Sequence, residues 1–249
     1  MGCRIAAISD TGNVREKNED SYLVCRRAFG KDEIVMLAVA DGMGGLSNGE
    51  WASRYVTEEL QNWWQTTILP LNEEPDLQKL DNMLGFFLEA VQYRMVEVIR
   101  ERQTKMGTTL SLLFFYKNRY FMKQVGDSRV YCLHHHKLYQ LSKDQTWCQR
   151  EYEEGRLTYE EMLHHEKRHV LVNAFGKESG FYIVSEQGAA QKGQRFLLCS
   201  DGYYAYLDAG ELYPKPFQRD LQKLLEKSGD RIKEGTAEDN FTAVLMELR

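Results

Sequence analysis

Residues 34–40 read IVMLAVA, an apolar run with no polar position to turn toward water. As a strand, such a run has to be covered on both faces, which predicts a layered fold with this segment at its centre. The run ends abruptly in Asp41, followed by Gly42, Met43, Gly44 and Gly45. Asp-Gly is a common turn dipeptide, and a carboxylate against flexible backbone also suits a metal or phosphate site. The dipeptide alone leaves both readings open.

Around it, IAAIS (5–9) and SYLVCR (21–26) read as further strands. The period then changes. Trp51, Tyr55, Val56, Leu60, Trp63 and Trp64 recur at helical spacing until Pro70, and these tryptophans are expected in the core. A second helix carries Leu77, Leu80, Leu84, Phe87, Leu88, Val91, Met95 and Val98 on one side, so two long helices should lie together. From Thr108, TTLSLLFFY, RYFMKQV, RVYCLH and KLYQLS are separated by short polar turns and read as one antiparallel meander. Residues 144–169 are polar and charged, a surface excursion or flap. Strands resume at FYIVS (181–185) and RFLLCS (195–200), a helix covers about 217–234, and FTAVLMEL (241–248) closes the chain. Without repeats or linkers, the expectation is one α+β domain over 1–249, with helices packed on antiparallel sheets.

Composition narrows the function. A formal charge of −5 and a pI near 5.8 argue against nucleic acid or an anionic membrane as partner. No apolar stretch is long enough to span a bilayer, and no secretory signal opens the sequence. Five cysteines without a C-x-x-C pair, several of them in apolar runs, suit a reducing cytoplasm. His134, His135 and His136 fall at an expected hairpin turn and read as a solvated tract rather than a metal site.

Several acidic residues share one context. Asp41 and Asp201 each end an apolar strand and precede glycine; Asp127 follows Val125 and Gly126; Asp239 precedes a strand; Glu19 and Asp20 stand just before another. A carboxylate at a strand terminus is rigidly held yet can face a cleft. Converging carboxylates with few histidines are the donor set of hard divalent ions such as Mg²⁺ or Mn²⁺. Each position singly is a plain turn more often than a site, and spacing alone does not prove convergence.

VREKNEDS (14–21), VADGMGGLSNGEWAS (39–53), MGTTLS (106–111), VGDSRVY (125–131), LLCSDG (197–202) and DNFTAVL (239–245) resemble, in order and spacing, the signature blocks of the metal-dependent protein phosphatases. The likeness is to the protein phosphatase 2C type in its compact bacterial form. It implies a four-layer α-β-β-α sandwich of two antiparallel sheets flanked by helices, with a flap-like segment near 144–175. It implies a serine/threonine phosphoprotein phosphatase in which a hydroxide bridging two divalent metals, Mn²⁺ or Mg²⁺, attacks phosphorus in line. By the same resemblance Asp41 bridges both metals, the Gly42 carbonyl adds a ligand, and Asp201 and Asp239 bind the other metal. Glu19 and Asp20 hold metal-bound waters or lie behind them, Asp127 helps hold a weaker third ion, and Arg15 binds the phosphate.

Met43 stands where the eukaryotic branch often has a histidine, so no side-chain general acid is assigned. Gln145 stands where histidine is usual and Asn173 where arginine is frequent, which bears on peptide preference rather than on the metal core. The implied partners are phosphoserine and phosphothreonine proteins and a cognate kinase, with the protein itself a cytoplasmic monomer. Two alternatives stay open: a pseudophosphatase that only binds phosphoproteins, and a narrow-target regulatory phosphatase of the anti-sigma, secretion or sporulation kind. No G-x-x-x-x-G-K-[ST] motif is present, which rejects a P-loop enzyme.

Overall fold

A computed structural model describes residues 2–44, 48–135, 137–208, 210, 212 and 220–249. The apolar run lies inside strand β3 (Asp32–Met43), and Ile34 through Ala40 are all fully buried. Its side chains alternate between two cores. Ile34, Met36 and Ala38 join the cluster under the first two helices, while Val35, Leu37 and Val39 join the cluster between the sheets. That alternation is why the run has no polar position.

One sheet orders β2 (Asp20–Phe29), β3, β5 (Leu110–Tyr116), β6 (Arg119–Val125) and β9 (Val184–Ala189), with the short β4 (Gly107–Thr108) paired to the end of β3. The other orders β1 (Cys3–Asp10), β11 (Phe241–Leu248), β10 (Arg195–Cys199), β7 (Arg129–His134) and β8 (Lys137–Gln140). The strand pairings are antiparallel throughout. Helices α1 (Asn48–Trp63) and α2 (Leu77–Arg102) cover the first sheet, through Val56, Leu60, Leu84, Leu88 and Met95. Trp63 and Trp64 are buried there, and Trp51 packs against the same cluster while partly exposed. Asp76 caps α2, its carboxylate accepting from the Gln78 and Lys79 amides at 2.9 and 3.2 Å. Helix α6 (Leu221–Glu234) covers the second sheet with Leu224, Leu225 and Ile232, completing four layers. Two short helices, α3 (Trp147–Glu153) and α4 (Tyr159–His164), form the flap-like excursion, and a single turn α5 (Asp201–Tyr204) follows β10.

Three expectations change. The meander is not one sheet: β5–β6 is a hairpin of the first sheet and β7–β8 a hairpin of the second, so the chain crosses between sheets at Gly126–Ser128. The strand expected at 181–185 runs instead from Val184 to Ala189, because Phe181 turns into the helix-side core against Phe175 while the Tyr182 carbonyl accepts from Asn173. The last helix begins at Leu221 behind an Asp220 cap; 217–219 lie outside the described residues, as does His136 of the histidine tract. His134 and His135 do sit at the β7–β8 hairpin. Among the described residues no helix is long and apolar enough to cross a membrane.

One buried ion pair ties α2 to its sheet. Lys123 Nζ lies 2.7 Å from Asp81, and the two side chains are 6% and 7% exposed. Lys123→Met alone leaves the Asp81 carboxylate buried without its cation and should lower stability by about 3–5 kcal/mol. Adding Asp81→Leu should restore most of that loss. Urea denaturation decides; a cost below about 1 kcal/mol for the single change would show the pair to be solvated.

Candidate metal and phosphate site

The strand ends named by the sequence meet at one edge of the sandwich. A cleft of about 420 Å³ is lined by Arg15, Glu19, Asp41, Gly42, Asp127, Asp201 and Asp239, together with Met43, Thr109 and His169. Asp20 lies directly beside it, opposite Asp41 in the β2–β3 register. The crossing between sheets delivers Asp127: had β6 and β7 formed a hairpin, that turn would lie within one sheet.

Backbone and side-chain hydrogen bonds fix these positions. The Asp41 amide donates to Thr109 Oγ1 at 2.9 Å, and the Asp41 carbonyl accepts from the Thr109 amide and the Thr108 hydroxyl, both at 2.9 Å. Gly42 packs so tightly that a Cβ there would fall 2.2 Å from the Gly49 carbonyl oxygen and 2.5 Å from that of Glu19. The glycine thus lets strand β3, the start of α1 and the Glu19 loop touch. The Ser200 hydroxyl donates to Asp20 at 2.7 Å while accepting from the Thr242 amide at 2.9 Å. Asn240 accepts from the Glu19 amide at 2.8 Å and donates to the carbonyls of Thr11 and Lys17, tying the arginine-bearing loop to Asp239. Gln145 accepts from the Gly126 amide at 2.8 Å and from Asn173 Nδ2 at 2.6 Å, so the two unusual flap residues bond to each other and brace the Asp127 turn. Arg129 forks onto Asp144 at 2.9 and 2.6 Å and lies over the Tyr204 ring, 3.7 Å from its centroid.

The electrostatics are those of crowded anions. Burial, then the charges of Asp20, Asp201, Asp127 and Asp239, hold Asp41 well above the usual carboxylate range. Burial, then Asp201 and Asp144, does the same to Asp127. Asp20 is pushed up to about 7 by burial and by Asp201 and Asp239, against the hydrogen bonds of Ser200 and Thr242. Asp201 goes the other way: burial would raise it, but hydrogen bonds from His169 and Asp41 outweigh that and lower it. The basic side chains facing these acids are few. Arg15 donates to Asp239 at 2.9 Å, and His169 Nδ1 stands 3.7 Å from Asp201.

This crowding of carboxyl oxygen donors, which resist ionising together without a cation, suits hard divalent ions. Among the described residues no three acidic, histidine or cysteine side chains yet close on one point as a finished metal cage; the donors line a cleft. The sequence brought forward neither His169, which lies in a polar run without local pattern, nor Thr109, Asn240 and Ser200, which act through backbone bonds formed only in the fold.

The chain matches the protein phosphatase 2C family over residues 14–245 and belongs to that family. It is 37% identical over 203 residues to the serine/threonine protein phosphatase PstP of Mycobacterium tuberculosis, a match covering 80% of this chain but only 36% of that longer relative. It is 28% identical over 244 residues to the serine/threonine phosphatase Stp of Listeria monocytogenes, covering 96% of this chain and 93% of the relative. A solved PstP catalytic domain in complex with two manganese ions is similar in structure, with a TM-score of 0.78, 30% identity, and 99% and 98% of the two chains covered.

Proposed function

We propose that residues 1–249 form one metal-dependent serine/threonine phosphoprotein phosphatase domain. The observation that carries this reading is the cleft of crowded carboxylates whose ionisation is opposed by burial and by one another. Asp41, Asp127, Asp201, Asp239 and the Gly42 carbonyl would hold Mn²⁺ or Mg²⁺, with Glu19 and Asp20 supporting through water. When bound, two such cations neutralise a phosphomonoester dianion and lower the pKa of water so that hydroxide is available near neutral pH.

The protein's own groups bind and orient. Arg15, half exposed at the rim, presents a planar fork suited to two phosphate oxygens. Its bond to Asp239 raises its pKa further, so it stays charged at every working pH. The same bond aims it at the cleft, and phosphate binding would compete with Asp239 for its donors. Thr109, Asn240 and Ser200 keep the strand ends from moving as charge enters.

Hydrolysis of a phosphothreonine peptide and of p-nitrophenyl phosphate tests the reading. Turnover with Mn²⁺ or Mg²⁺ that EDTA abolishes is expected. Metal binding without turnover would make the protein a phosphoprotein-binding regulator, and metal-independent turnover would sink the proposed chemistry. Arg15→Lys keeps a charge but loses the fork; kcat/KM for the peptide should fall about 10- to 100-fold, mostly through KM. An unchanged KM would place the phosphate elsewhere.

A further inference from the structure

A second cavity, of about 320 Å³, opens beside the acidic cleft and shares Met43, Gly44 and Leu171 with it. The two differ in charge. Five carboxylates line the first, whereas the charged residues lining the second are Lys105 and Lys177. Both lysines are exposed, and among the described residues neither has a carboxylate partner; Lys177 Nζ donates only to the Val172 carbonyl. Apart from Asn173, whose amide is engaged by Gln145 and the Tyr182 carbonyl, the lining between them is apolar, with Met106, Ala174 and Phe175 buried beneath.

This groove is preformed. Gln92, on α2, accepts from the Gly176 amide at 2.7 Å and donates to the Lys177 carbonyl at 2.6 Å, fixing one wall from behind. Phe175 and Thr108 exchange backbone hydrogen bonds at 2.9 and 3.2 Å, joining that wall to β4. Gly176 has φ +87°, and a Cβ on it would fall 2.5 Å from the Met106 carbonyl oxygen, so the walls meet as closely as backbone allows. A ligand entering such a groove does not have to order it first.

We infer that this groove is the subsite for the substrate segment beside the phosphoresidue, and that it selects an apolar side chain flanked by acidic residues. The inference rests on the phosphatase reading. With the phosphoryl group in the cleft, an extended peptide advances about 3.3 Å per residue, and because the two cavities share a wall its flanking residues pass from one into the other. The shared wall of Met43 and Leu171 lies on that path. An acidic residue there meets the Lys105 and Lys177 ammonium groups, neither of which has a carboxylate partner among the described residues, whereas a basic residue would be repelled.

Two phosphothreonine peptides test it, one with leucine and glutamates beside the phosphothreonine, the other with glycine and lysines in their place. The wild type with Mn²⁺ should favour the first by about 10-fold or more in kcat/KM. Lys105→Glu/Lys177→Glu should remove or invert the charge preference while leaving p-nitrophenyl phosphate turnover within about two-fold, since that substrate does not reach the groove. Leucine restored alone into the glycine peptide separates the apolar contribution from the charge. Equal turnover of both peptides by the wild type, or a parallel loss on p-nitrophenyl phosphate in the variant, would overturn the subsite while phosphatase activity stood. Failure to hydrolyse any of these substrates would instead overturn the phosphatase reading, and the groove's role with it.

Discussion

Asp41→Asn should abolish turnover and yet leave the chelated protein more stable at pH 8 than the wild type. Asparagine is nearly isosteric, and the three hydrogen bonds that position residue 41 are made by its backbone, so the turn into Gly42 should survive. What is lost is the charge. Asp20, Asp201, Asp127 and Asp239 all oppose ionisation of Asp41, so removing its carboxylate relieves repulsion that only a bound cation otherwise offsets. For turnover the consequence is opposite: the residue proposed to bridge the cations no longer supplies its charge, and kcat should fall on the order of 10³-fold or more. Two readouts decide together, kcat with Mn²⁺ and thermal unfolding in EDTA. Activity within about ten-fold of wild type would remove Asp41 from the site. An inactive variant that also unfolds earlier in EDTA would show a structural lesion instead.

The residues behind that opposition are partly legible in the sequence. IVMLAVA announced a strand covered on both faces, and the alternation of Ile34, Met36 and Ala38 against Val35, Leu37 and Val39 is the fold's reason for it. The acidic strand ends were legible as candidates, because strand–Asp–Gly is a local pattern; that they line one cleft was not, because convergence depends on how two sheets stack. The crossing at Gly126–Ser128 was misread for a physical reason. A short polar turn between two apolar strands has the same composition whether it closes a hairpin or passes to another sheet, and the difference lies in distant partners, β9 beside β6 and β10 beside β7. Strand β9 was displaced because it is a polar, half-exposed edge with little alternation to read. Gln145 and Asn173 were visible only as departures from a pattern; their mutual bond, which braces the Asp127 turn, joins positions 28 apart in sequence and exists only once the chain folds back.

Chelating the divalent cations should make the fold lose stability as pH rises, the reverse of ordinary acid denaturation. Asp20 carries the sign. Its folded pKa, about 7, stands above the ordinary aspartate value of 3.8, so the proton is held more tightly in the folded state. The associated stability is therefore complete below about pH 4 and lost progressively as pH climbs through about 7, a change on the order of a few kcal/mol. Asp41 and Asp127, also raised, push in the same direction. Against them stand Asp201, Asp10, Glu33 and Glu247, whose pKa values are lowered although burial would raise them, by hydrogen bonds led by those of His169, Lys233, Arg26 and Arg4 respectively. Their contribution is present above the ordinary carboxylate range and fades only as pH falls below it, so it limits stability on the acid side alone. The chelated protein should thus be most stable near pH 5, and its Tm should drop between pH 5 and 8. Divalent ions bind carboxylates in their ionised form, so Mn²⁺ should stabilise little at pH 5 and strongly at pH 8, and the gap between the two Tm curves should widen with pH. Parallel curves, or a chelated Tm that rises toward pH 8, would mean that these carboxylates are not the groups Mn²⁺ neutralises.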